Sequence, residues 1–304
     1  MEIKNSQITI VGPGRVGTHI ASLVRKAGWS IQSIIGRTQA SIAHIKHEIG
    51  HVNLETFDLV AGYRDILLLT VSDSVIASVC EALAEKGLIH SNTVIIHTSG
   101  ASNSRVLEAA IDRQASVASL HPLQTFPSRQ APFADLAGTY WFFEGGHRAR
   151  DVASHIVSSL GGHFHVLKPE QKIAYHLSAT IACNSMNAIL EASLRCSDLA
   201  GIHRDEMQRA IRPLMQSTLD SMLLDSPTAS LTGPVSRGDL TTVESHVTEL
   251  SRLPEVRDIY IPLANFLLEM ADNSGRVDCD TYKKFSDFFN EFLVANRKNM
   301  LENQ

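Results

Sequence analysis

Residues 9–21 read TIVGPGRVGTHIA, and Gly12, Gly14 and Gly17 stand in it at GxGxxG spacing. An apolar, β-branched run at Ile8–Val11 leads into the loop, and residues 18–26 leave it with helical spacing. In a dinucleotide-binding loop the first glycine makes the turn and the second admits a pyrophosphate to the backbone. The third lets helix and strand pack closely, and the helix N-terminus, here at Arg15 and Val16, faces the phosphates. A tight turn that happens to hold three glycines is the plainer reading. The strand before, the helix after and the continued alternation favour the cofactor.

Further apolar runs at 31–35, 66–71, 94–97, 117–121 and 139–143 read as strands. They are short and apolar throughout, as in a parallel sheet covered on both faces. Gly28 closes the first helix. These features predict an α/β fold, with a doubly wound parallel sheet of the Rossmann type over residues 1–165. After Pro169 the strand signal stops. Helical spacing then fills 169–199, 204–224, 240–250, 254–272 and 279–296, with starts near Asp205, Pro254 and Asp280. Residues 166–304 therefore read as an all-α domain for substrate binding and dimerisation.

With 44% hydrophobic and 19% charged residues among 304, the composition is that of a soluble globular protein. A net charge of −5 gives no basic excess for nucleic acid or an anionic membrane. No apolar run approaches the ~20 residues of a membrane span, and the N-terminal residues lack a leader's pattern. Cys80, Cys183, Cys196 and Cys279 are too scattered for a zinc site. They are expected to be reduced, mostly buried thiols of a cytoplasmic protein that holds no metal.

The end of the second strand selects the cofactor. An NAD-preferring chain places an acid there for the ribose 2′-hydroxyl, whereas residues 33–41 read SIIGRTQAS. Arg37 can fork onto a 2′-phosphate, Thr38 and Ser41 can donate to it, and Arg15 could cover the adenine or reach the same phosphate. NADP(H) is the expected cofactor, against the plainer reading that both arginines are solvated.

Three later strands end in polar stretches: TVSDSVI at 70–76, HTSGA at 97–101 and SLHPLQTF at 119–126. Ser72 and Asp73 are candidates for the cofactor, at least one of them doubling as a helix cap. His97, Thr98, Ser99 and His121 are candidates for the nicotinamide and substrate side. In the helical half, KIAYHLSATIACN places Lys172, His176, Thr180 and Asn184 at four-residue steps on one helix face. A core histidine is the plainer reading of His176. Residues 231–246, LTGPVSRGDLTTVESH, offer Arg237 and Asp239 for a substrate carboxylate, although Asp239 would also suit a helix cap. His163 and His165, in HFHVL, read as exposed strand residues without a role.

GPGRVG, VSD, SLHPLQTF, YHLSATIACN and LTGPVSRGD together resemble the family that joins a Rossmann-like domain to a DUF2520 domain. It is related to pyrroline-5-carboxylate reductase, ketopantoate reductase and 6-phosphogluconate dehydrogenase. The resemblance implies NADP(H), a helical domain of the 6-phosphogluconate dehydrogenase C-terminal type, and a homodimer through the C-terminal helices. It also implies that His176, Thr180 and Asn184 stand where relatives carry a lysine acid and asparagines. The expected function is NADPH-dependent reduction of a small carboxylate-bearing carbonyl, such as the 2-oxo acid 2-dehydropantoate. His176 would be the acid, with Asn184 and Thr180 beside it, and Arg237, Asp239, Ser99 and His121 on the substrate. An imine reductase and a non-catalytic NADP(H) sensor are the alternatives.

Overall fold

The computed structural model describes residues 6–126, 128–130 and 135–302. The N-terminal stretch 1–5, on which part of the leader reading rests, lies outside them. The chain forms two compact units, Met1–Cys183 and Asn184–Gln304.

The first unit alternates strand and helix. Its elements are β1 (Ile8–Val11), α1 (Arg15–Lys26), β2 (Ile31–Gly36), α2 (Gln39–Ala43), α3 (Ile45–Ile49), β3 (Leu54–Thr56), β4 (Ile66–Leu69), α4 (Ile76–Glu85), β5 (Val94–His97), α5 (Glu108–Ile111), β6 (Ser116–Pro122), β7 (Tyr140–Gly145), α6 (His147–Ser159), β8 (His163–Val166) and α7 (Lys172–Ala179). The eight strands form one sheet in the order β3-β2-β1-β4-β5-β6-β7-β8. Side chains alternate between its two faces, and both faces are apolar. Ile66 and Leu68 join Ile8, Ile10, Val94 and Ile96 on one side, while Leu67 and Leu69 join Val11, Ile35 and Ile95 on the other. Burial on both sides is why the strands read as unbroken apolar runs.

The six strands β3 to β6 are parallel, as the alternation predicts. Strand β7 instead runs antiparallel to β6, with Ala118 opposite Gly145 and Pro122 opposite Trp141. A parallel neighbour needs a crossover element, and no helix occurs among the described residues between β6 and β7. Helix α6 is such a crossover, and β8 lies parallel to β7. The sheet is therefore mixed at one edge. Strand β3, only three residues long, carries no periodicity by which the sequence could reveal it.

The second unit contains α8 (Ser185–Leu199), α9 (Arg204–Leu224), α10 (Leu240–Glu249), α11 (Pro254–Asn273) and α12 (Cys279–Glu302). Val243, Val247, Ile261, Leu268, Phe285 and Phe289 form its core. Its helices fall where periodicity places them, and α9 starts beside Asp205, with His203 as its cap. The sequence puts the change of domain at 165–166, whereas the first unit continues to Cys183, because Lys172 at the start of α7 is anchored under the sheet's carboxyl edge. The cysteine reading needs correction too: Cys80 is buried, but Cys183, Cys196 and Cys279 are exposed on their helices. Among the described residues no helix is long and apolar enough to cross a membrane.

Candidate active site

The glycine loop is closed at two points and open at one. Gly12 has a φ of +93°, a left-handed backbone in which a Cβ would also lie 2.5 Å from Val71 Cγ1. A Cβ on Gly17 would collide with the Gly12 carbonyl and with Thr70 Oγ1. Thr70 is the clamp, donating from its hydroxyl to the carbonyls of Gly12 (2.8 Å) and Val11 (3.1 Å). A Cβ on Gly14 would meet nothing within 4 Å. Gly14 caps α1 without any side-chain hydrogen bond, and no acid stands in the first turn. The first amides of α1 thus lack intrahelical acceptors and carry the positive end of the helix dipole, as an anion site requires.

In front of the loop lies a cavity of about 550 Å³, lined among others by Gly12, Gly14, Arg37, Ser41, Ser72 and Arg129. Arg37 is the cation expected there. Arg129 is a second one, missed in the sequence because it comes from a stretch some ninety residues later with no motif of its own. Arg15 is exposed and does not line the cavity, and Val16 packs its side chain on the core. Thr38 and Ser41 turn out to be a capping box for α2: Thr38 Oγ1 accepts from the Ser41 amide, and Ser41 Oγ accepts from the Thr38 amide. Thr38 is accordingly a cap and not a cavity residue. Ser72 lines the cavity, whereas Asp73 lies outside its lining and accepts a 2.6 Å hydrogen bond from Ser99 Oγ.

A second cluster forms at the carboxyl ends of β5 and β6, under α7. Lys172 is buried and donates from Nζ to the Ser99 carbonyl (2.8 Å) and to Ser119 Oγ. Ser119 in turn donates to the same carbonyl (3.0 Å). Burial pushes the Lys172 ammonium down to about 8, against the pull of the Glu144 and Asp73 carboxylates. Glu144, also buried, accepts from the Ser104 amide and hydroxyl.

One turn further along α7, Tyr175 and His176 face His121. The Tyr175 hydroxyl lies 2.7 Å from His121 Nδ1, and its ring packs against Phe142 at 4.1 Å. Burial, then the charges of Lys172 and His176, push His121 down to about 4, so its ring is neutral at pH 7. Burial also raises the Tyr175 phenol far above neutrality. The His121 and His176 rings meet edge to face at 5.9 Å. Beneath them is Gly100, on which a Cβ would stand 2.5 Å from His176 Nδ1 and 3.0 Å from His121 Nε2. His176 Nδ1 is buried without a hydrogen-bond partner among the described residues.

The structure thus brings Ser99, His121 and His176 together and adds Lys172, Tyr175 and Gly100. His97 does not join them. Its buried ring accepts from the Ser99 amide at Nδ1 and bonds the Asn103 carbonyl through Nε2, so it is a core histidine, pushed down to about 4 chiefly by burial. The four-step ladder is also broken: a π turn at Thr180–Asn184 separates α7 from α8 and rotates the helix beyond it. Lys172, His176 and Thr180 share a face, the Thr180 amide bonding back to the His176 carbonyl, and Asn184, at the far end of the π turn, does not continue it. Asn184, Arg237 and Asp239 belong to the second unit. There Asp239 is the cap of α10, accepting from the Thr242 amide (3.1 Å) and hydroxyl (2.7 Å), while Arg237 is exposed beside the left-handed Gly238.

Residues 2–122 match the family model of a Rossmann-like domain, and residues 139–266 match that of a domain of unknown function, DUF2520. The chain joins a Rossmann-like domain to a DUF2520 domain. Among solved structures, this Rossmann-like/DUF2520 chain is similar to the protein BF3122 of Bacteroides fragilis, at 22% identity and a TM-score of 0.74 over 88% of this chain and 100% of that one. Protein TM1727 of Thermotoga maritima follows at 25% identity, with a TM-score of 0.70 over 88% and 99%. A reductive aminase of Aspergillus terreus, in complex with NADPH and ethyl levulinate, is 16% identical with a TM-score of 0.61 over 93% and 99%. No curated protein sequence matches the Rossmann-like/DUF2520 chain.

Proposed function

We propose that the chain is an NADPH-dependent reductase of a small carboxylate-bearing carbonyl compound, a 2-oxo acid such as 2-dehydropantoate. The observation that carries the cofactor is the glycine loop, closed at Gly12 and Gly17 and open at Gly14, before a cavity lined by Arg37 and Arg129. The open α1 terminus suits the pyrophosphate and the two guanidinium groups suit a 2′-phosphate, with no carboxylate at the end of β2 to prefer a free hydroxyl. Bound NADPH would supply a hydride to the electrophilic carbon. His176 would give a proton to the oxygen that gains charge. Lys172, buried and hydrogen-bonded to Ser99 and Ser119, would hold the ends of β5 and β6 in place rather than touch substrate.

Reduction of a C=N group is the second reading, and the similarity to a reductive aminase holding NADPH favours it. The proposal includes a homodimer built on the C-terminal helices. In its support, no residue of α9 is buried, and Leu214, Leu223 and Leu224 stand exposed on it.

Cofactor titration tests the proposal. The protein should bind NADPH about 30-fold more tightly than NADH, the worth of one charge-assisted contact of about 2 kcal/mol. Arg37→Asp should reverse that order by turning attraction into repulsion. Equal affinities of the unaltered protein for the two cofactors would refute it.

A further inference from the structure

We propose that Arg129 is a second determinant of cofactor choice, supplying donors to the 2′-phosphate that the end of β2 lacks, and that Phe126 is the positioning residue that seats it. The inference rests on the NADPH reading for its ligand. It gives a role to the connection between β6 and β7, which lies between the two family matches and belongs to neither.

Among the described residues, six polar side chains line the cavity, Arg37, Ser41, Thr70, Ser72, Ser78 and Arg129, and no carboxylate does. A hydroxyl has one hydrogen to give. Ser41 gives its own to the Thr38 carbonyl (2.6 Å), Thr70 to the carbonyls of the glycine loop and Ser78 to the Val75 carbonyl (3.1 Å). Arg37, Ser72 and Arg129 are left with donors to offer. Ser72 stands two residues past Thr70, the clamp of the glycine loop, and so at the pyrophosphate end. A phosphate group presents three strong acceptor oxygens, and at the end of β2 only Arg37 remains to meet them.

Arg129 lies on that side of the cavity. His44, between α2 and α3, has Nε2 3.3 Å from Thr18 Oγ1. Its affinity for a proton is lowered first by burial and then by the charge of Arg129, so that guanidinium stands toward α2. Two forked cations on one phosphate replace the hydroxyl donors that the cap of α2 consumes.

Arg129 is exposed, and what fixes its place is Phe126. The Phe126 ring meets His19 of α1 edge to face at 5.2 Å and packs on the core beside Ile20 and Val24. His19 is itself held, its Nδ1 donating to the Arg15 carbonyl (2.8 Å). Ser128 Oγ accepts from the Gln130 amide (3.0 Å), making a turn centred on Arg129. Three residues span at most ~10 Å, so the seat on α1 sets where the arginine starts. Upstream of Phe126, the next residue bonded to another strand is Leu123, whose amide donates to the Tyr140 carbonyl (2.9 Å). Losing the seat doubles the tether of Arg129 and lowers its local concentration about threefold.

Adenosine 2′,5′-bisphosphate and AMP, which differ only in the 2′-phosphate, probe the full chain by calorimetry without hydride transfer. The unaltered protein should bind the bisphosphate more tightly. Arg129→Gln should cut that preference about tenfold, the loss of one charge-assisted contact, and leave AMP binding as it was. An unchanged preference would overturn the proposal and leave the NADPH reading standing. Equal binding of the two nucleotides by the unaltered protein would overturn both. Phe126→Ala should weaken the bisphosphate about threefold with AMP unmoved, and should cost nothing more when added to Arg129→Gln. The same loss in both backgrounds would overturn the role of Phe126. Because coupling is reciprocal, proton NMR reads the seat without altering Phe126. The His19 ring signals should shift more with the bisphosphate than with AMP, and Arg129→Gln should erase the difference. Signals that answer both nucleotides alike would overturn the seat.

Discussion

Lys172 offers a sharp test of the packing under α7, because its charge is buried and its effect on stability has a sign and a window. Burial, opposed by Glu144 and Asp73, lowers its affinity for a proton from 10.5 to about 8 on folding. Each tenfold change in proton affinity is about 1.4 kcal/mol, so the folded state loses about 3 kcal/mol while this lysine is charged. Below pH 8 folded and unfolded chains both hold the proton, and the whole penalty is present. Between about 8 and 10.5 the folded state releases it first, the unfolded state binds more protons, and stability rises with pH. Lys172→Met removes the titration. It leaves the Ser99 carbonyl its bond from Ser119, so any constant offset drops out of the comparison. Urea unfolding of both proteins across this range, followed by tryptophan fluorescence, measures the effect. Trp29 and Trp141 are the only tryptophans and both lie in the first unit, so the second is silent. The unaltered protein should gain about 3 kcal/mol relative to Lys172→Met as pH rises through the window. A difference that stays flat would show that Lys172 is not a buried cation.

Two further outcomes are expected. Gly14→Ala should change stability by less than about 1 kcal/mol yet lower NADPH affinity more than tenfold, because its methyl points into open space where the pyrophosphate would sit; calorimetry and cofactor titration separate the two, and Gly17→Ala should damage both. His176→Ala should slow the hydride step by about 10²–10⁴-fold with NADPH affinity unchanged, while His163→Ala, on the exposed edge strand β8, should leave single-turnover rates as they were.

What was legible in the sequence was whatever depends on near neighbours. The strand, glycine loop and helix at Ile8–Lys26 follow from residues within one turn of each other, and β1 and β5 fall where their apolar runs do. Cap chemistry was equally local: Asp239 is the cap its spacing allowed. The misreadings concern partners distant in the chain. Nothing near Arg129 says that it lines the cavity of Arg37. Lys172 looks like one rung of a helical ladder until Ser99 and Ser119 are placed beneath it. His97 is the exception to distance, since Asn103, whose carbonyl claims its ring, stands only six residues on, in a turn that no motif announces. The ladder failed for a different reason, since an extra residue in the turn at Thr180–Asn184 defeats a count that assumes unbroken α geometry.

The seam between β6 and β7 bears on how such a chain is inherited. The Rossmann-like match stops at 122, the last residue of β6, and the DUF2520 match begins at 139, one residue before β7. The border between the two sequence blocks therefore runs between two hydrogen-bonded strands of one sheet, where Leu120 pairs with Phe143. Exchange of one block between relatives would splice a foreign strand pair onto a resident sheet edge. It would carry Lys172, Tyr175 and His176 away while leaving Ser99, Gly100, Ser119 and His121 behind. The blocks are units of sequence but not of folding or chemistry, and a working cluster descends only when both travel together.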